Sequence, residues 1–118
     1  MRKGLLLYKK KTMEDIYLKA LLFDYYGELL TEQQRRIYKE VYFEDCSESE
    51  VATTEGISRQ GVHDSLTRTK KYLDEYEKKL GLVAAHTRKQ DLIGQLRKSI
   101  ETGDKTRLDD IIKEIENL

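Results

Sequence analysis

Ser47-Glu48-Ser49-Glu50-Val51-Ala52-Thr53-Thr54-Glu55-Gly56-Ile57-Ser58-Arg59-Gln60-Gly61-Val62-His63-Asp64-Ser65-Leu66 reads as two helices joined by a tight turn. Two helix starts lie eleven residues apart. Ser47 with Glu50 has the spacing of a capping box, in which hydroxyl and carboxylate satisfy each other's backbone amides. Ser58 is a second N-cap. Gly56 stands between them, the residue best suited to the positive φ that ends a helix. Ala52 is small where two helices must approach, and Val51, Ile57, Val62 and Leu66 pack them together. This outline predicts a helix-turn-helix.

Outside this stretch the pattern is helical throughout. The 118 residues contain no proline and seven glycines, and 37% of the side chains are charged, a composition of solvated helical faces. One domain with an appendage fits that length. No apolar run reaches the ~20 residues of a membrane span. Leu5-Leu6-Leu7 is too short for a signal-peptide core. The single cysteine, Cys46, suits a reducing compartment. Together these predict a cytoplasmic protein.

Net charge is zero but unevenly spread. Residues 1–12 hold five basic side chains and no acid; residues 13–50 hold four basic and ten acidic; residues 51–80 hold six and five; residues 81–118 hold seven of each. A basic face for phosphates must therefore be assembled by folding. Residues 1–13 read as a basic N-terminal arm, in which Lys9-Lys10-Lys11 is a solvated run or a product of start-site choice, Met13 being an alternative start. Residues 14–82 read as the helix-turn-helix domain and residues 83–118 as a helical hairpin.

Leu18, Leu21, Leu22 and Tyr25 predict the core stripe of a helix over about 14–26. Gly27 ends it, with Leu29 and Leu30 packing beyond. Thr31 with Gln34 predicts a second capping box, opening a helix that buries Ile37, Tyr38 and Val41. Tyr25, Tyr26, Tyr38 and Tyr42 are better read as core residues than as a stacking platform. Val62, Leu66, Thr69, Leu73, Tyr76 and Leu80 carry the second motif helix on for about six turns, so its distal half needs a partner for its apolar side. Gly81 breaks it. A helix from about Thr87 to Thr102 and another carrying Leu108, Ile111, Ile112, Ile115 and Leu118 make the hairpin, with Gly103 as C′ and Asp104 as N-cap.

The residues give no enzyme constellation, no metal spacing and no glycine-rich phosphate loop, so no catalytic residue and no cofactor is predicted. His63 reads as an exposed helix residue and His86 as a loop or helix-start residue. The functional surface is the outward face of the motif. With Val62 and Leu66 inward, Arg59, Gln60, His63 and Thr67 point out as base or phosphate contacts, supported by Arg68, Lys70 and Lys71 on phosphates. Asp64 lies alongside and opposes phosphate.

Two segments carry a family resemblance. Leu21-Leu22-Phe23-Asp24-Tyr25-Tyr26-Gly27-Glu28-Leu29-Leu30-Thr31-Glu32-Gln33-Gln34 resembles the opening signature of the YlxM family. Gly56-Ile57-Ser58-Arg59-Gln60-Gly61-Val62-His63-Asp64 resembles its motif turn and second helix. Arg68-Thr69 and Leu73 to Leu80 continue the likeness, which covers about residues 16–82. Gly61 departs from it, replacing a helix-favouring residue at up to about 1 kcal/mol if the site is helix interior.

The resemblance implies an all-α, sigma region-four-like helix-turn-helix bundle that binds DNA. It implies a place in the signal recognition particle pathway, because family genes lie beside those of the targeting GTPases, and self-association through the C-terminal helices. Three functions stay open: a DNA or RNA reader, a module that binds the targeting GTPase or its receptor, and a homo-oligomer through the tail.

Overall fold

The computed structural model describes residues 15–118. The basic arm of residues 1–13, with Met13, and the expected helix start at Glu14 lie outside the described residues. Among the described residues all regular structure is helical. The elements are α1 (residues 15–26), a 3₁₀ turn at Gly27–Leu29, α2 (Glu32–Tyr42), α3 (Glu48–Glu55), α4 (Arg59–Leu80), α5 (Leu82–Thr102) and α6 (Leu108–Glu116). The protein is an all-α helix-turn-helix bundle. The chain divides into two compact units, one ending at Lys79 and one beginning at Leu80.

In the first unit the local signals act where they were expected. Thr31 Oγ1 accepts from the Gln34 amide and Gln34 Oε1 accepts from the Thr31 amide, both at 3.1 Å, so α2 opens on a complete capping box. Its buried face is Ile37 and Tyr38, with Val41 half-buried. Phe23 stacks on Tyr38 at 5.7 Å, and Phe43, just past α2, lies within 6 Å of both rings. Of the four tyrosines expected in the core, Tyr26 and Tyr38 are buried, Tyr42 is half-buried and Tyr25 is exposed. Burial pushes the Tyr38 phenol well above its ordinary range.

The core face of α1 differs from the expected one. Leu18 and Tyr25 are 47% and 38% exposed, while Leu21, Leu22 and Tyr26 are buried. Neighbouring tyrosines sit 100° apart on a helix, and Tyr26 continues the line of Leu22 one turn on. Its ring lies 6.0 Å from that of Tyr76, and its hydroxyl donates to Glu77 Oε1 at 2.6 Å. This contact fastens the distal half of α4 to α1, so that half is not left projecting. Of the two leucines expected to pack beyond Gly27, Leu30 is buried and Leu29 is 55% exposed.

In the second unit Gly81, with φ 64°, turns the chain between α4 and α5 in one residue. Helix α5 therefore begins at Leu82 rather than near Thr87, and His86 is a half-buried helical residue. Gly103 closes α5 with φ 73°. Asp104 does not cap α6, which starts at Leu108 with Arg107 at the cap position. Its Oδ1 instead accepts from the Thr106 amide at 3.0 Å and hydroxyl at 2.7 Å, and these bonds hold its carboxyl below the usual range. Leu92 and Ile111 are buried, and Arg88 ties α5 to Glu114 on α6. Ile100, Ile112, Ile115 and Leu118 stay exposed.

Candidate nucleic-acid interface

The motif is built by α3, its turn and the first half of α4. Ser47 Oγ accepts from the Glu50 amide at 3.1 Å and Glu50 Oε1 accepts from the Ser47 amide at 3.4 Å. Gly56 takes φ 69° and ψ 31°. Its amide donates to Thr53 O, and the Ile57 amide donates to Ala52 O at 3.1 Å. That pair of bonds is a Schellman closure. Ser58 then caps α4, its Oγ accepting from the Gly61 amide at 2.9 Å. Gly61 is thus a first-turn residue, not helix interior, and a Cβ there would stand 3.2 Å from Ser58 Oγ. Val51, Ala52, Val62, Leu66, Thr69 and Leu73 are buried where the helices meet. Arg36 of α2 fixes the end of α3 through two bonds to the Glu55 carboxylate, at 3.2 and 2.9 Å.

All seven residues singled out for binding, Arg59, Gln60, His63, Thr67, Arg68, Lys70 and Lys71, are exposed on α4. They do not form one patch. At 3.6 residues per turn, Gln60, Asp64, Thr67 and Lys71 share an arc of about 60°, opposite the buried Val62, Leu66, Thr69 and Leu73. Arg59, His63 and Lys70 lie on one flank. Arg68 lies on the other, about half a circle from Arg59. A helix lodged in a groove would present the central arc to base edges and the two flanks to opposite phosphate strands.

Two acidic groups join this surface. The His63 imidazole Nδ1 lies 3.1 Å from Glu48 Oε1, fifteen residues away on α3. Gln60 Nε2 donates to Asp64 Oδ1 at 2.9 Å. Glu48, Arg59, Gln60 and His63 line an open concavity at the start of α4. Glu55 is paired with Arg36. Thr67 Oγ1 donates to the carbonyl of His63 at 3.1 Å, which leaves its oxygen able to accept. Glu48 is the member of this surface that reasoning on α4 alone missed; a single-helix pattern cannot report a contact between helices.

Cys46 is half-buried before α3. Burial first, then the charges of Glu50, Glu40, Glu44 and Asp45, push its thiol up, against a reactive thiolate. No helix among the described residues is long and apolar enough to cross a membrane.

A short capped helix, a Schellman turn and a second helix with an exposed polar face define a helix-turn-helix protein. Comparison with known families gives the same class: residues 7–116 match the family described as putative helix-turn-helix protein, YlxM / p13 like (UPF0122). The chain belongs to this family. It is 44% identical to a UPF0122 protein of Symbiobacterium thermophilum over 92 residues, 78% of this chain and 86% of the relative. It is 39% identical to one from a Thermoanaerobacter species over 106 residues, 89% and 91% of the two chains. It is also 39% identical to one from a Geobacillus species over 111 residues, 92% and 97% of the two. The family match takes in the tail, beyond the residues 16–82 that carry the resemblance in sequence alone.

Proposed function

We propose that this protein is a non-enzymatic regulator that binds nucleic acid through the exposed face of α4. The observation that carries the reading is the first two and a half turns of that helix. Arg59, Gln60, His63 and Thr67 all stand in solvent there, on the second helix of a rigidly closed motif, where helix-turn-helix proteins contact base edges. Arg68 and Lys70 extend the cationic flanks along the same helix, and Lys71 adds a cation to the central arc. A cytoplasmic role in the signal recognition particle pathway is the setting that the family resemblance suggests.

A second reading has its own support. Glu48, beside His63 on one flank, occupies part of the face that phosphates would approach, and Asp64 adds a second exposed negative charge, which favours a protein partner with basic side chains, such as a targeting GTPase or its receptor. Self-association through the tail is compatible with either reading; exposed Ile100, Ile112, Ile115 and Leu118 are the residues that would carry it. Light scattering should then give a larger particle for wild type than for Ile112→Lys with Ile115→Lys.

The functional readings separate in one titration of labelled duplex DNA, structured RNA and a basic protein at low salt. Nucleic-acid binding that weakens in Arg59→Ala and Lys70→Ala supports the first. Binding of the basic protein alone, lost in Glu48→Gln, replaces it with the second.

A further inference from the structure

We infer that Asp64 is the base-reading carboxylate of α4, accepting a hydrogen bond from the exocyclic amino group of a cytosine in the major groove, and that Gln60 is its positioning residue. The inference rests on the proposed nucleic-acid reading and specifies what duplex sequence that face selects.

By charge alone Asp64 opposes a polyanion, and the flanks are the place where that opposition counts. Asp64 is not on a flank. It sits in the central arc with Gln60, Thr67 and Lys71, directly opposite the buried side of α4. The cations Arg59 and Lys70 stand on one side of it and Arg68 on the other. A helix seated by those flanks brings Asp64 to the base edges and keeps it from the phosphates.

A carboxylate can only accept. Cytosine is the base whose major-groove edge carries an amino donor and no acceptor; adenine adds the N7 acceptor, guanine shows O6 and N7, and thymine shows O4. Guanine and thymine would set oxygen or nitrogen lone pairs against the charge. Gln60 argues the same way. A free glutamine reads adenine with its oxygen on N6 and its amide nitrogen on N7. Here Nε2 is committed to Asp64 Oδ1 at 2.9 Å, across one helical turn. The bond orients the carboxylate and ties Gln60 Nε2, the atom that adenine reading would send to N7, to Asp64 through one of its two N–H groups.

An ordinary surface pair between residues i and i+4 would stabilise the helix slightly and have no effect on sequence choice, so the test reads choice. The full-length chain is used to select from a pool of duplexes with a randomised core, in parallel with Asp64→Asn, Asp64→Ala and Gln60→Ala; circular dichroism checks that each variant is folded. Wild type should enrich cytosine at one position by about tenfold, as one good base contact allows. Both Asp64 variants should lose that enrichment while binding the pool at least as tightly, and Gln60→Ala should weaken it. Folded Asp64 variants that keep the wild-type preference overturn the inference and leave the nucleic-acid reading standing. Enrichment of adenine at the Asp64-dependent position overturns the choice of base. Failure of wild type to bind any duplex overturns the inference, and failure on structured RNA as well overturns the nucleic-acid reading with it.

Discussion

The turn of the motif predicts that one chemical change will have opposite signs at two sites. Gly56→Ala and Gly94→Ala each add a single methyl group. At both positions that methyl meets nothing within 4 Å, so packing does not enter. What differs is the backbone. Gly56 holds φ 69° as the last residue of the Schellman closure, a conformation that costs an L-residue roughly 1–2 kcal/mol. The narrower unfolded ensemble of alanine returns about 0.4–1 kcal/mol of this, leaving a net loss near 1 kcal/mol. Gly94 is an exposed residue inside α5, where alanine is favoured over glycine by about 1 kcal/mol. The two variants should therefore differ by about 2 kcal/mol. Urea unfolding followed by circular dichroism measures both, with Gly56→Ala shifted to lower and Gly94→Ala to higher urea. A Gly56→Ala protein as stable as wild type would mean that the turn is not closed in the left-handed conformation, and the geometry that aims α4 would be wrong.

Other expectations follow from single contacts. Thr69 is 0% exposed and its Oγ1 has no hydrogen-bond partner among the described residues, so Thr69→Val should raise stability by about 1 kcal/mol; a loss on thermal melting would reveal a partner for the hydroxyl. The Arg36 hydrogen bonds, then its charge, hold the Glu55 carboxyl below the ordinary range. A carboxylate depressed in the folded state stabilises above its unfolded pKa, near 4.3 for glutamate, and loses that contribution as pH falls through the folded value. Stability should therefore decline from about pH 5 downward, and Arg36→Gln should flatten that decline; an unchanged acid limb would assign it to other carboxylates. Glu48→Gln removes the charge beside His63 and should tighten duplex binding while leaving stability within about 0.5 kcal/mol; weaker binding would mean that Glu48 supports the duplex contact instead of opposing it.

Much of this architecture was legible because its rules are local. The capping boxes of Thr31 with Gln34 and Ser47 with Glu50, and the glycine closing α3, each depend on residues three or four apart. The face of α1 was harder to read. Leu21, Leu22, Tyr25 and Tyr26 offer two overlapping stripes, and only the packing of Tyr26 against Tyr76 and Glu77, about fifty residues on, selects one. The start of α5 was hidden because a single glycine with positive φ separates it from α4, without the loop that composition suggests. Asp104 has the residue type of a cap, but Thr106 captured its carboxylate first. For the interface, periodicity placed the side chains around α4, while the approach of Glu48 to His63 required knowing how α3 crosses α4. The Gln60–Asp64 bond spans i to i+4 and could have been read from the sequence alone.

The central claim is that α4 meets a polyanion with the cations on its flanks. The salt dependence of duplex affinity tests it most directly. Engagement of the flank cations Arg59, Arg68 and Lys70 predicts a slope of log K against log salt of about −2.7, at −0.9 per phosphate neutralised. Replacing Lys70 with alanine should lower the magnitude of that slope by about one. Absence of affinity at low salt, or a slope that Lys70→Ala leaves unchanged, would contradict the account.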